Sequence, residues 1–481
     1  MLSGILFGLS FVFVPLWWLF IPGFILFYAA LAREASYVRI FFFGSLVGMF
    51  HYCGVFYWIW SVFPILWLPQ GSIYLQLLIL GLYWTITSLS EAFVVGLFAV
   101  CAKKFLERTR LALMLLPFLW VAGELLRSIS FTFYTLGPGS SVDLSFTYGY
   151  IGYLLAEQHA LLMFARFGGV YALSYVAALI GVGSYFCAVA VSKKNYTLAL
   201  LYAGAFLLLF SAQALTPKVL TLHQKVISVE TYFDSASEQA PDFSAQKLQT
   251  LTDAAAKALA QKPDVIVYPE DAHIGEAFTS PAELASWARD RSGGYPTVIV
   301  DNTLGVDHRG ANVVRSELFD TATGLQYHID KRHLVPEGEF LSYFHAWVLS
   351  HILPKETIAT VREYLRFQNG VEGAAAPYPS YLPGVIHCFD PMVPWSVHDA
   401  IKDHASVVVY QSSLSWFVNS FAFTLEGEHD AMLKTQAVWN QVSIVEAGNM
   451  AQSRAYMQDG TIRKGRTLTS TQWWSLKEFD L

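Results

Sequence analysis

Three residues suited to acyl chemistry stand at the ends of short apolar runs. Glu270 follows Val265-Ile266-Val267-Tyr268-Pro269, Lys331 follows Tyr327-His328-Ile329-Asp330, and Cys388 follows Val385-Ile386-His387. Such runs read as strands, and α/β domains gather reactive groups at strand ends. A thiol needs a base to become a thiolate, and a partly desolvated carboxylate can serve; a cation then stabilises the oxyanion of a tetrahedral intermediate. Glu, Lys and Cys in that order supply base, oxyanion partner and nucleophile. Each alone is weak evidence, because Glu and Lys are common surface residues and a lone Cys is often a packed core residue. The other cysteines, Cys53, Cys101 and Cys187, fall in or at the edge of apolar segments. Cys388 therefore has no disulfide partner within its own half of the chain.

The elements that must position these residues begin at Lys225. Strands are expected over 225–231, 264–269, 296–301, 311–319, 324–330, 383–389, 405–410 and 442–447, with helices near 244–260, 281–290, 393–403 and 426–441. Alternation of this kind predicts a layered α/β domain. Between 340 and 382 lies an insertion with Trp347, Leu349, Ile352, Leu353 and Tyr364 among polar residues, which reads as a lid, a membrane-surface segment or a packed connector. His387, next to Cys388 on a strand, is expected to point to the opposite face as a packed core histidine. Trp416 and Phe417 read as core or lid packing or as acyl-chain contacts.

Residues 1–216 belong to a different solvent. They hold 10 Lys and Arg against 6 Asp and Glu, whereas the remainder holds 21 against 31. The whole chain is 54% hydrophobic and 14% charged, too apolar for an ordinary soluble pair of domains. Apolar runs at about 3–20, 22–33, 40–61, 73–102, 111–126, 170–191 and 197–215 predict a bundle of about seven membrane helices, the first two forming a tight hairpin or one kinked helix. A signal peptide is not expected, because no positive n-region or small-residue cleavage site accompanies the first run. Lys and Arg concentrate on cytoplasmic loops. Arg33, Arg39, Lys103, Lys104, Arg108, Arg110, Lys193 and Lys194 flank one side and only Arg127 and Arg166 the other, so the acidic half is expected outside. In a bacterium that side is the periplasm, and the bundle lies in the inner membrane. The acidic half offers no basic stripe for nucleic acid. Within the runs, Glu91 and His51 stand alone, while Glu124 and Arg127, three apart on one helix face, are expected to form an internal ion pair. The stretch 128–169, rich in Gly, Ser, Tyr and Phe, reads as an interfacial segment receiving lipid or as a plain outer loop.

The segment Asp330-Lys331-Arg332-His333-Leu334-Val335-Pro336-Glu337-Gly338-Glu339-Phe340 resembles the lysine motif of the nitrilase, or carbon-nitrogen hydrolase, superfamily, in which a second glutamate follows the lysine by eight positions. Tyr268-Pro269-Glu270 is similar to the motif of that family's base, and His387-Cys388-Phe389-Asp390 to that of its nucleophile. Gly123 to Arg127, Arg166-Phe167-Gly168-Gly169-Val170-Tyr171 and the order of spans before an outer domain resemble the membrane-bound branch, the apolipoprotein N-acyltransferases.

The resemblance implies an αββα sandwich behind the bundle, with residues 217–481 as an extracytoplasmic catalytic domain. It implies Cys388 as nucleophile, Glu270 as base, Lys331 as oxyanion partner and Glu339 as a carboxylate orienting Lys331, with Phe389, Trp416 and Phe417 near substrate. It further implies acyl transfer from a phospholipid through a cysteine thioester to the α-amine of a diacylglyceryl-cysteine lipoprotein, with no metal or organic cofactor. A membrane-tethered amidase, with water in place of the amine, is the alternative. A catalytically silent scaffold for lipoproteins is another. Departures from the family pattern are Asp390 in place of a longer Glu, the run Gln411 to Ser415, Gln436 and Trp439 in place of Arg and Glu, and a tail over 466–481 too short and polar to span.

Overall fold

The computed structural model describes residues 1–65, 68, 72–106, 108–217, 223–234, 243–370, 379–402, 405–417 and 423–481. Part of the 340–382 insertion (371–378) and the end of the helix expected over 393–403 lie outside them. The chain divides into two compact units, Met1–Tyr134 with Asp143–Lys218 and Asn419–Trp439, and Thr135–Val142 with Val219–Val418 and Asn440–Leu481.

In the first unit, six helical segments among the described residues are long and apolar enough to cross a membrane: Val14–Arg33, Tyr37–Val62, Ile73–Leu106, Leu111–Tyr134, Gly169–Ser192 and Tyr196–Leu215. The expected count of seven is corrected to these six and one shorter helix, Leu2–Val12. At 1.5 Å per residue those 11 residues reach only about 16 Å, about half of a bilayer core. The break falls at Phe13, whose extended backbone leads into a 3-10 turn over Val14–Leu19, rather than at Pro22. The Ser3 hydroxyl donates to the Gly23 carbonyl at 2.8 Å and Phe7 meets Phe24 edge-on at 4.9 Å, so the two runs form the tight hairpin. Small residues let helices touch backbone to backbone. A Cβ on Gly44 would lie 2.6 Å from the Ala99 Cβ, and one on Gly54 would lie 2.5 Å from the Gly8 Cα.

Arg127 is buried, and its hydrogen-bonded carboxylate is Glu91 on the preceding long helix, at 3.3 Å, rather than Glu124. A second guanidinium nitrogen donates to the Tyr148 carbonyl at 2.5 Å. Glu124 instead accepts from the Trp120 indole at 3.1 Å and the Ile151 amide at 2.8 Å. Helical spacing identifies neighbours on one helix and cannot register a facing one. Tyr148, Tyr150, Tyr153 and Leu155 are buried, so much of the 128–169 stretch is packed. The helix Phe423–Asn440 also contributes to this unit through residues up to Trp439. Its Lys434 pairs with Glu157 at 2.7 Å, and Trp439 fills the space where a Cβ on Gly169 would sit, 2.4 Å away.

The second unit carries twelve strands among the described residues. They are β1 (Lys225–Thr231), β2 (Val265–Val267), β3 (Val298–Val306), β4 (Asn312–Asp320), β5 (Gln326–Asp330), β6 (Gly384–His387), β7 (Val407–Ser413), β8 (Ser443–Asn449), β9 (Arg454–Tyr456), β10 (Ile462–Lys464), β11 (Arg466–Ser470) and β12 (Trp474–Asp480). Strands β1, β2 and β3 are parallel; β4, β5, β12 and β11 extend that group antiparallel. Strands β6, β7 and β8 form a second parallel group extended by β9 and β10, and the groups join where Thr231 pairs with Asn449. Alternation along β1 explains the layers. Val226 packs with Val265, Val300, Val407, Val409 and Val445 of both strand groups, whereas Ile227 and Val229 pack with Leu251, Ala255, Leu284 and Ala288 of the helices Phe243–Leu259 and Pro281–Ser292. A short helix, Trp395–Ala400, closes on Gly384 of β6. The expected combination of a membrane bundle and a layered α/β domain is what the chain adopts.

All eight expected strands are present; the four after residue 450 were not expected. The polar tail ends in β12, which pairs antiparallel along the whole of β1 and buries Trp474, Leu476 and Phe479. Replacing Leu476 by Ala should therefore destabilise the sheet domain by about 2–4 kcal/mol. Denaturant unfolding followed by tryptophan fluorescence measures it, and a loss under about 0.5 kcal/mol would contradict a core role for β12.

Candidate active site

Glu270 stands in the turn after β2, where the Tyr268 amide still donates to Val300 of β3 at 2.9 Å. The next residues take left-handed backbone conformations, with φ of 62° at Asp271 and 63° at His273. Polar contacts hold them there. The Asp271 amide donates to the Asn302 side chain at 2.9 Å, and the Asp271 carboxylate meets Lys247 at 3.0 Å and His273 Nε2 at 2.5 Å. His273 Nδ1 lies 2.7 Å from Glu276 and 3.1 Å from the Thr303 hydroxyl.

Lys331 is the first residue beyond β5, and its amide continues the ladder to the Val314 carbonyl at 2.8 Å. Its side chain is 1% exposed, and Nζ lies 2.8 Å from Glu270 Oε1 and 3.0 Å from Glu339 Oε1. The second Glu339 oxygen accepts from the Val335 amide at 2.6 Å. Burial works against the Lys331 ammonium, but the charges of Glu270, Glu339 and Cys388 outweigh it and hold its pKa well above the ordinary lysine range. Glu339 is raised, chiefly by burial, with Lys331 opposing.

Cys388 follows β6 in a tight turn. Its carbonyl accepts from the Tyr410 hydroxyl at 2.9 Å, and Sγ lies 3.9 Å from the Ser413 carbonyl. Burial, then the Glu270 charge, pushes the thiol far up, and Lys331 offsets this only in part. Both effects favour the thiol over the thiolate, and a thiol becomes a nucleophile only where a base takes its proton. Glu270, Lys331, Glu339 and Cys388, four strand-end and loop residues, thus converge electrostatically on one place.

Asp390, at the start of a short 3-10 turn, accepts from the His387 amide at 2.7 Å and lies 2.8 Å from His333 Nδ1. Burial opposes its charge, but His333 and His387 hold it far below the carboxylate range. It therefore ties the lysine segment to the cysteine turn. His387 is buried as expected, with Nε2 2.8 Å from the Ser316 hydroxyl, which is itself bonded to Gln411. His333 and Tyr410 were not singled out from sequence, and Gln411 stood there only as the first residue of a run departing from the family pattern. The motif position of His333, two after Lys331, was the available signal; Tyr410 carried none beyond lying at the end of an expected strand. Phe389 is buried in the turn after β6, whereas Trp416 is 39% exposed and meets Tyr364 of the insertion edge-on at 6.2 Å. Phe417 is half-buried and its amide donates to the Leu414 carbonyl.

Long apolar helices joined in one chain to a layered α/β domain, in which the buried Lys331 ammonium sits between the Glu270 and Glu339 carboxylates, define a membrane protein with an α/β domain. Residues 3–183 match the family described as apolipoprotein N-acyltransferase N-terminal domain. The chain is 23% identical over 483 residues to an apolipoprotein N-acyltransferase of Geobacter metallireducens, covering 96% of this chain and 85% of that one. Among solved structures, an amidase from Nesterenkonia sp. AN1 aligns over 54% of this chain and 93% of its own, at 17% identity and a TM-score of 0.35. A variant of that amidase, described as from the nitrilase superfamily, aligns at 16% identity over 54% and 92%, with a TM-score of 0.36. The chain is thus similar to apolipoprotein N-acyltransferases over nearly its whole length.

The turn after Glu270 has a defined pH dependence. Burial opposes the His273 imidazolium, but Asp271, Asp301 and Glu276 carry its pKa up to about 9, so its contribution is complete below about 6.5 and lost as pH rises through about 9. Asp271 is opposed by burial but brought down to about 2 by His273 and Lys247, so its contribution is complete above about 3.8 and lost only in strong acid. Because Asp271 is 48% exposed, solvent screening limits the coupling, and raising pH from 6.5 to 9.5 should cost roughly 1 kcal/mol. Thermal unfolding at the two pH values tests this: wild type should lose more stability than His273→Asn, and equal losses would remove His273 from the account.

Proposed function

We propose that the chain is an N-acyltransferase that moves a fatty acyl group from a phospholipid, through a thioester on Cys388, to the α-amine of a diacylglyceryl-cysteine at a lipoprotein N-terminus. The observation that carries the reading is the Lys331 ammonium, buried between Glu270 and Glu339 and electrostatically coupled to the Cys388 thiol. The similarity to apolipoprotein N-acyltransferases along the chain supports the choice of acceptor.

In the first half-reaction the Cys388 sulfur attacks the ester carbonyl carbon while its proton passes to Glu270. Lys331 holds the oxyanion, and collapse breaks the ester C–O bond, the leaving alkoxide taking the proton from Glu270. In the second, the amine attacks the thioester and gives a proton to Glu270. Collapse returns the bonding pair to sulfur, which recovers that proton. Glu339 keeps Lys331 charged and in place throughout. Phe389, Trp416 and Phe417 are the proposed substrate contacts, and the insertion over 340–382 is a lid or membrane-surface segment, its Tyr343 and Trp347 being 65% and 61% exposed. Loop charges favour an inner-membrane protein whose catalytic domain, 217–481, lies on the periplasmic side, where lipid substrates reach the site laterally without drawing acyl chains through water.

Incubation of the detergent-solubilised protein with acyl-labelled phospholipid should place label on Cys388 and then on the amine of an added diacylated lipopeptide. Release only as free acid would favour the amidase reading, and absence of label a silent scaffold. Cys388→Ala should abolish the adduct; its persistence would sink the nucleophile assignment. Glu270→Gln and Lys331→Met should each slow thioester formation by about 10²–10³-fold. A periplasmic reporter fused after Leu481 should be active, and a cytoplasmic signal would overturn the orientation.

A further inference from the structure

The turn that presents Glu339 is held by a second carboxylate. The Glu339 and Gly338 amides both donate to the Val335 carbonyl, at 2.9 and 3.2 Å, and the Glu337 amide donates to Phe340 at 2.8 Å. Glu337 sits at a φ of 62°, a region that residues with a side chain rarely occupy without compensation. Its largely buried carboxylate faces the start of the helix Tyr343–Leu349. One oxygen lies 2.6 Å from His345 Nδ1, and the other accepts from the Ser342 amide at 3.4 Å. Ser342 caps that helix by accepting from the His345 amide, and its hydroxyl lies 2.8 Å from the same Nδ1. An ionised carboxylate only accepts, which assigns the Nδ1 proton to His345 and its direction to Glu337. The helix start is itself anchored where the Tyr343 amide donates to the Leu136 carbonyl at 2.8 Å.

We infer that Glu337 and His345 are a positioning pair, which fastens the Val335–Phe340 turn to the helix Tyr343–Leu349 and thereby sets the Glu339 carboxylate against Lys331. Neither residue touches the reacting atoms. Their influence runs through the Glu339 contacts to the Val335 amide and to Nζ, so losing the pair loosens the turn and misplaces the oxyanion partner. The kinetic part of this inference rests on the acyl transfer proposed above; the structural part does not.

The test uses the full chain in detergent, with Glu337→Ala, His345→Ala, the double variant, Glu337→Gln and His345→Asn. Amide hydrogen exchange across residues 333–341 reports the turn, and acylation of Cys388 by labelled phospholipid, followed across lipid concentrations, reports chemistry. Each alanine variant should lose protection at the Val335 and Glu339 amides and slow acylation at saturating lipid about tenfold, with the half-saturating concentration changed less than about twofold. The double variant should be no slower than the slower single one, because the two residues act as one device. His345→Asn, whose side-chain amide can replace the Nδ1 donor, should regain most of the rate. Losses that multiply in the double variant, unchanged exchange, or an Asn variant as slow as the Ala variant would each overturn the inference. If the alanine variants also lose protection in β1–β3, the isosteric pair decides: Glu337→Gln slowed and His345→Asn near wild type supports it, and the reverse rejects it. If wild type accepts no acyl group, the acyltransferase reading falls and the exchange result alone decides the pair.

Discussion

An ammonium removed from water must be repaid by nearby charge and hydrogen bonds, and at Lys331 that requirement organises the α/β domain's site. Its two carboxylates come from the turn after β2 and from the loop beyond β5. They can meet only if β2, β3, β4 and β5 hold their pairing in register, because a one-residue slip would reverse the face of every side chain. Parallel pairing of Val265 with Val298 and antiparallel pairing of Arg315 with Asp330 bring the two strand ends together. Two carboxylates against one ammonium leave excess negative charge, which together with burial raises the neighbouring thiol.

The departures from the family pattern have local physical accounts where contacts are visible. Asp390 is shorter than Glu, yet it reaches both the His387 amide and the His333 ring, because the 3-10 turn it opens folds back over the end of β6. Trp439 occupies the room left by the absent side chain of Gly169. The segment Trp474–Asp480 belongs to the sheet: β12 covers the edge of β1, which would otherwise present unpaired backbone groups.

Much was legible in sequence because period and composition are local properties. Long apolar runs, strand-like Val and Ile clusters, the charge contrast between the halves and the eight-residue spacing from Lys331 to Glu339 are all read within short windows, and solvent alone forces their consequences: apolar helices to lipid, alternating strands to a half-buried sheet. Glu270, Lys331 and Cys388 stood out by residue type and order, and the structure brings Glu270 to Lys331. Tertiary structure alone decided which charges meet. It gave Arg127 to Glu91 on a facing helix rather than to Glu124 on its own, broke the first apolar run at Phe13, turned the tail into β12, and placed Lys331 between two carboxylates 61 and 8 residues away. Contacts across 36 residues, as from Arg127 to Glu91, or 61, as from Lys331 to Glu270, depend on how elements pack, and no local window of sequence contains both partners.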